Sequence, residues 1–300
     1  MMVLQHKPNC LVVGAAKAGT TLLYYYLRQH PEVFIPNQKE PCFFLAPNGS
    51  FNFVKGKLAF AILNQQNYET LYKKATQSAK LDMSTPYLYH YQTTINNIKL
   101  YYGSESLPKI VAVLRNPVDR AFSQYQWRVR DIQECLSFDE ALKQEPQRIA
   151  EGYSFDFHYF NRGLYASQIA AYKANFREVK VILFEDLIED PLRIMKELTE
   201  FMNVDESFKF SLVAKVNESH GAKFPWLNKL ITMESKWKFQ LLNTIGAERK
   251  EKLKSLFMKA NRQDPIKIEP TSRRLLSELY RSDILQLQDL IGRDLSKWLI

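Results

Sequence analysis

Short aliphatic and β-branched runs alternate along this chain with longer stretches whose apolar positions recur every three or four residues. The runs CLVVG (Cys10–Gly14), AKLDM (Ala79–Met83), KIVAVL (Lys109–Leu114) and KVILFE (Lys180–Glu185) have the length and composition of buried parallel strands. Between them, TTLLYYYLRQH, TTINNIKLYYG and PVDRAFSQYQWRV carry helical spacing. Pro117 suits a first helical turn, where a missing N–H costs nothing. Strand–helix–strand alternation predicts an α/β fold: three layers, with a central parallel sheet flanked by helices and binding sites at the carboxyl ends of the strands. The aromatic stretches FFLAPNGSFNF and GYSFDFHYFNRG match neither period, and are expected as loops, either ordinary packed surface or substrate-facing. Beyond about residue 205 the pattern is helical to residue 300. With no repeat and no Pro/Gly-rich linker, one domain over residues 1–300 is expected, its core spanning about 8–205 and a helical part about 206–300.

Composition narrows this picture modestly. A chain of 300 residues, 46% of them hydrophobic, can bury one sizeable core. The formal net charge of +9 fits an anionic ligand, and fits simple solubility equally well. Nucleic acid is disfavoured, because the basic residues are scattered without a dense arm or a recognition module. Cys10, Cys42 and Cys135 are distant and odd in number, so reduced thiols are expected rather than a disulfide framework or a zinc site. The opening MMVLQHKPN has no signal-peptide core, and no apolar run approaches membrane-spanning length. A soluble, cytoplasmic protein without a membrane anchor is the expectation; oligomeric state is not readable.

The first strand runs into a candidate phosphate loop. Gly14 and Gly19 keep the four-residue gap of a nucleotide-binding P-loop, and Thr21 keeps its hydroxyl position. Backbone N–H groups of such a loop, opening into a helix near Thr20, form an anion site. Two departures change the ligand. Thr20 stands where a P-loop NTPase carries lysine, and the loop's cation is Lys17. The strand KIVAVL ends in Arg115 rather than in an aspartate that would help hold magnesium. Arg115 precedes a proline-started helix carrying Ser123. Arginine forks suit phosphate oxygens and a hydroxyl adds a donor, so a ligand with two anionic groups and no required metal is expected. Taken alone, Arg115 would read as a surface arginine paired with Asp119 or Glu185.

KAGTT together with LRNPVDRAFSQY resembles the sulfotransferases that use 3′-phosphoadenosine 5′-phosphosulfate, especially the heparan-sulfate-type and bacterial branch. The resemblance extends through HPEVFIPNQKEPCFF, DMSTPYLY, RGLYASQIAAYKANF, VILFEDLIEDP and LQDLIGRDLSKWL. It implies a P-loop-NTPase-like fold. It also implies that Lys17, Ala18, Gly19, Thr20 and Thr21 surround the 5′-phosphosulfate while Arg115 and Ser123 hold the 3′-phosphate. Lys17 would neutralise charge on the leaving phosphate, and Glu40 of QKEPCFF would be the general base for an acceptor hydroxyl or amine, glycan or small molecule. Without the resemblance, Glu40 would read as a loop glutamate paired with Lys39.

Other branches use histidine. His30, His90, His158 and His220 are therefore weighed, with His90 the main rival base and His30 expected to cap or pack. In the heparan-type pattern a lysine precedes the Thr-Pro pair; Ser84 stands there in this chain, so no second catalytic lysine is carried over, and Asp82 or Ser84 is a candidate acceptor contact. NESHGAKFPW is a loose match to a segment closing over the adenosine end, with His220 and Lys223 as candidate phosphate contacts. The competing readings are a P-loop-type small-molecule or nucleotide kinase, disfavoured by Thr20 and Arg115, and a non-catalytic module binding acidic glycans.

Overall fold

The computed structural model describes residues 7–56, 58, 60–103, 107–212, 221–222, 262–263 and 267–300. Its centre is a five-stranded sheet built from β1 (Cys10–Gly14), β2 (Val33–Phe34), β3 (Ala79–Met83), β4 (Lys109–Leu114) and β5 (Val179–Leu183), in the order β2-β3-β1-β4-β5. Every pairing in it is parallel. β1 is buried along its whole length, as a strand covered on both faces must be. Aromatic, Leu and Ile side chains from the flanking helices complete a single core around it. The α/β expectation and the four predicted strands hold. β2 went unread because two residues give no period.

The connections place the ligand crevice. From β1 the chain turns through α1 (Thr20–Leu27) and runs outward to β2, then back to β3 on one side of β1. α2 (Gln65–Thr70) precedes β3, while α3 (Pro86–Tyr89) and α4 (Tyr91–Tyr102) follow it. β4 lies on the other side of β1 and leads through α5 (Pro117–Arg130), α6 (Phe138–Ala150) and α7 (Tyr165–Asn175) to β5. The chain thus leaves β1 and β4 in opposite directions, and loops at the ends of such a strand pair splay apart to leave a crevice. The loops carrying Lys17 and Arg115 are these two.

Local rules explain the ends. Asn116 caps α5, its Oδ1 accepting from Val118 N at 2.9 Å, with Pro117 in the first turn as expected. KVILFE stops being a strand at Leu183; Phe184 begins α8 (Phe184–Glu189), whose first turn carries Glu185 and Asp186 where acids favour a helix start. α9 (Pro191–Met202) follows. The expected all-helical region after residue 205 is only partly matched. A two-residue antiparallel ladder, β6 (Gly221–Ala222) with β7 (Arg262–Gln263), interrupts it before α10 (Pro270–Ile291). Both aromatic loops form short 3₁₀ turns, Phe43–Leu45, Phe155–Phe157 and Asn161–Gly163. All three cysteines are free thiols. No helix among the described residues is long and apolar enough to cross a membrane.

Candidate active site

Residues 14–19 leave β1 and curl back over its end, Ala15 N donating to Val113 O of β4 and Ala18 N to Ala15 O. Gly19 (φ +83) ends the loop; a Cβ there would meet Phe184 Cδ2 at 2.6 Å, so the position admits only glycine without a shift of α8. α1 then starts with no side-chain cap on Gly19, leaving its first amides free for an anion. Lys17 also lies in the left-handed region (φ +70), a conformation costing a lysine on the order of 1 kcal/mol. Its Nζ sits 5.1 Å from the centre of the Trp127 ring. Burial, reinforced by Arg130 and Arg115, lowers the Lys17 ammonium to about 8. A left-handed backbone and a desolvated ammonium thus coincide at Lys17.

Arg115 joins this loop directly, Nη1 donating to Lys17 O at 3.2 Å, with its guanidinium 4.8 Å from the centre of the Phe184 ring. Neither carboxylate forms a direct ion pair with Arg115: Asp119 pairs with Arg273, and Glu185, which feels the Arg115 charge, accepts from Asn116 N at 3.2 Å. Ser123 is buried on α5, one turn before Trp127 and hence on the same face of that helix as the ring beneath Lys17. Lys17, Arg115 and the Ser123 face of α5 therefore border one crevice, between the ends of β1 and β4.

The segment after β2 forms the facing wall. Glu40 (φ +57) and Cys42 (φ +55) both take left-handed backbone, twisting the chain so that consecutive side chains diverge. Lys39 Nζ donates to Thr21 Oγ1 at 2.6 Å, while Glu40 Oε2 accepts from Thr85 Oγ1 at 3.2 Å. Burial raises the Glu40 carboxyl above its usual range, against the pull of Lys39 and Thr85. That shift moves a carboxylate toward basicity useful at neutral pH. Behind this wall Asp82 and Ser84 are fully buried. Ser84 Oγ donates to Asp82 Oδ1 at 2.6 Å and accepts from Cys42 N at 3.0 Å; Asp82 Oδ2 accepts from Tyr68 at 2.8 Å and Tyr87 at 2.9 Å. Neither residue can meet an acceptor, which corrects that expectation. Their role is to fix the backbone two residues past Glu40.

The structure adds residues that motif spacing did not single out. A small pocket beside Thr85 is lined by Ala15, Ala16, Leu88, Tyr89, Arg120, Arg162 and Gln168. Arg120 is fully buried and donates to Tyr159 O, while its Nε and Nη1 have no partner among the described residues. Buried Arg162 donates to Phe155 O at 3.3 Å and Asp156 Oδ1 at 3.4 Å, and burial lowers its guanidinium pKa. The available signal was Arg120 itself, a cation on the apolar face of α5. Among the histidines, His30 packs as expected: Nδ1 accepts from Glu32 N, so Nε2 carries the proton given to Asp205 O. His90 and His158 are both held neutral, pushed down to about 4 by burial and by Arg162. Such weak bases are poor rivals to Glu40. His220 and Lys223 lie outside the described residues.

Residues 7–241 match the family model described as the sulfotransferase domain. The chain belongs to the sulfotransferase family. It is similar to the bifunctional heparan sulfate N-deacetylase/N-sulfotransferase 3 of Homo sapiens, 26% identical over 310 residues that cover 97% of this chain and 31% of that protein. It is also similar to the membrane-associated sulfotransferase kil1 of Dictyostelium discoideum, 33% identical over 146 residues, 46% of this chain and 28% of that one. The chain thus spans about a third of the length of the curated relatives it matches. Among solved structures, a sulfotransferase from Alicyclobacillus acidocaldarius superimposes with a TM-score of 0.73 at 32% identity, covering 97% of this chain and 98% of that one.

Proposed function

We propose that this chain transfers a sulfuryl group from 3′-phosphoadenosine 5′-phosphosulfate to a hydroxyl or amine of a glycan or small molecule, without a metal. The observation that carries the reading is the Arg115–Lys17 junction at the β1/β4 crevice, two cations joined through Lys17 O beside a helix start without a side-chain cap. These residues fit the donor. Lys17, Ala18, Gly19, Thr20 and Thr21 surround its 5′ end, and Arg115 with Ser123 takes the 3′-phosphate. The bound donor supplies an activated sulfuryl group on a good leaving phosphate. Lys17 offsets charge building on that phosphate, an electrostatic contribution of the kind that dominates such transfers. Glu40, oriented by Thr85, takes the acceptor's proton as the acceptor attacks in line. One domain carries the whole reaction in this reading.

Thermal unfolding with chelator present tests the donor. Adenosine 3′,5′-bisphosphate should raise the midpoint by mass action, and ATP with magnesium should do much less. A larger, chelator-sensitive shift with ATP would replace the sulfuryl donor with a kinase nucleotide.

A further inference from the structure

Lys39 is a cation for which the proposed reaction has so far given no use. Its ammonium reaches from the acceptor wall to the donor loop, 2.6 Å from Thr21 Oγ1 and 6.0 Å from the centre of the Tyr24 ring. It makes no ion pair with a carboxylate among the described residues, although Glu40 is its neighbour in sequence. Burial opposes the ammonium there and the charge of Glu40 favours it. It is half-buried, and through Thr21 its ammonium meets the first turn of α1, at the positive end of the helix dipole. Burial accordingly lowers its pKa. The hydrogen bond to Thr21 Oγ1, the Tyr24 ring and the charge of Glu40 hold the ammonium beside the first turn of α1, where its other N–H groups are donors for an anion.

We infer that Lys39 is a second catalytic cation, contacting the sulfuryl oxygens from the acceptor side while Lys17 serves the phosphate. The inference rests on the donor proposed above. The stereochemistry follows from the chain: Lys39 and Glu40 are consecutive, with Lys39 turned to Thr21 and Glu40 to Thr85, so one backbone segment presents the cation to the electrophile and the base to the nucleophile. In the transfer the acceptor oxygen or nitrogen bonds to sulfur and its proton passes to Glu40. The bond from sulfur to the bridging oxygen breaks, and its electron pair remains on the 5′-phosphate. Charge on the sulfuryl oxygens persists throughout, and Lys39 holds that group in line with the attack.

The test uses a ligand pair that differs by the sulfuryl group alone. For Lys39→Met, calorimetry should find adenosine 3′,5′-bisphosphate bound within about threefold of wild type, while the phosphosulfate donor without acceptor weakens about 10- to 100-fold. Turnover should fall on the order of 10²-fold, and Lys39→Arg should recover part of both losses. Equal weakening of the two nucleotides would overturn the assignment to the sulfuryl group. Unchanged donor affinity and turnover would make the Thr21 contact merely structural, leaving the donor reading intact. Wild-type protein that bound neither nucleotide would remove the donor reading, and this inference with it.

Discussion

In the reaction proposed above, the crevice has a donor wall and an acceptor wall, and the two are built by different means. The donor wall is backbone: a loop closed by Ala15 and Ala18 amides, a glycine wedged against Phe184, and a helix start left uncapped. The acceptor wall is side chains from distant segments: Cys42 N on Ser84, Ser84 on Asp82, and two tyrosines on the same carboxylate. A backbone loop holds whatever has phosphates, whereas a wall of side chains can be retuned residue by residue. The comparison implies that donor binding and acceptor chemistry are separable by mutation.

The largest expected effect comes from Glu40→Gln. Turnover should drop about 10²–10⁴-fold with bisphosphate affinity barely changed, since the side chain faces Thr85 rather than the donor loop. Turnover within a few-fold of wild type would clear Glu40 of the base role. Arg115→Ala should do the reverse, costing bisphosphate binding roughly 2–5 kcal/mol while adenosine 5′-monophosphate is held nearly as before. Equal losses for both nucleotides would mean that Arg115 supports the loop through Lys17 O and nothing more. Asp82→Asn strikes the acceptor wall from behind. Stability should fall by about 1–3 kcal/mol as the hydroxyl network loses its carboxylate, and turnover by up to about 10²-fold as Glu40 shifts. Bisphosphate titrations on that variant should match wild type, and a parallel loss of nucleotide would collapse the distinction between the walls.

The smallest effect is in pH. The free protein's Lys17 gives up its proton near pH 8, and an anionic ligand needs the charged form. Bisphosphate affinity should therefore be full below about pH 8 and decline above it, by at most about tenfold per unit. Calorimetry from pH 7 to 9.5 would show this, and Lys17→Ala should flatten the slope.

This asymmetry also governs what the sequence disclosed. Gly14, Lys17, Gly19, Thr21 and Arg115 were legible because a strand–loop–helix turn fixes their spacing over a few residues. Glu40 came only through resemblance, since nothing local in QKEPCFF says that Thr85, 45 residues on, will receive it. Asp82 and Ser84 were placed on the wrong side of the wall, because a polar pair at a strand end looks the same facing a ligand or a buried network. Arg120, Arg162 and Lys39 lie inside the resembling segments, yet no spacing there singles them out. Their chemistry depends on burial and on partners distant in sequence, which only the packed molecule reveals. The helical forecast for the last third failed at β6 and β7, where two-residue strands are too short to leave a period.

One detail of the packing bears on how the chain comes to be folded in time. α7, which follows Arg162 and carries Gln168, has no cap of its own at Leu164. Its first amides, Tyr165 N and Ala166 N, are taken by Asp283 on α10, more than a hundred residues later, and Tyr280 of the same helix donates to Phe160 O. A protein emerging from the ribosome amino end first can pair β1 with β3 and β4 early. The start of α7, between the pocket residues Arg162 and Gln168, gains its cap only with the final helix. A nascent chain stalled short of residue 280 would thus carry the crevice loops after β1 and β4 while the start of α7 still lacked its cap.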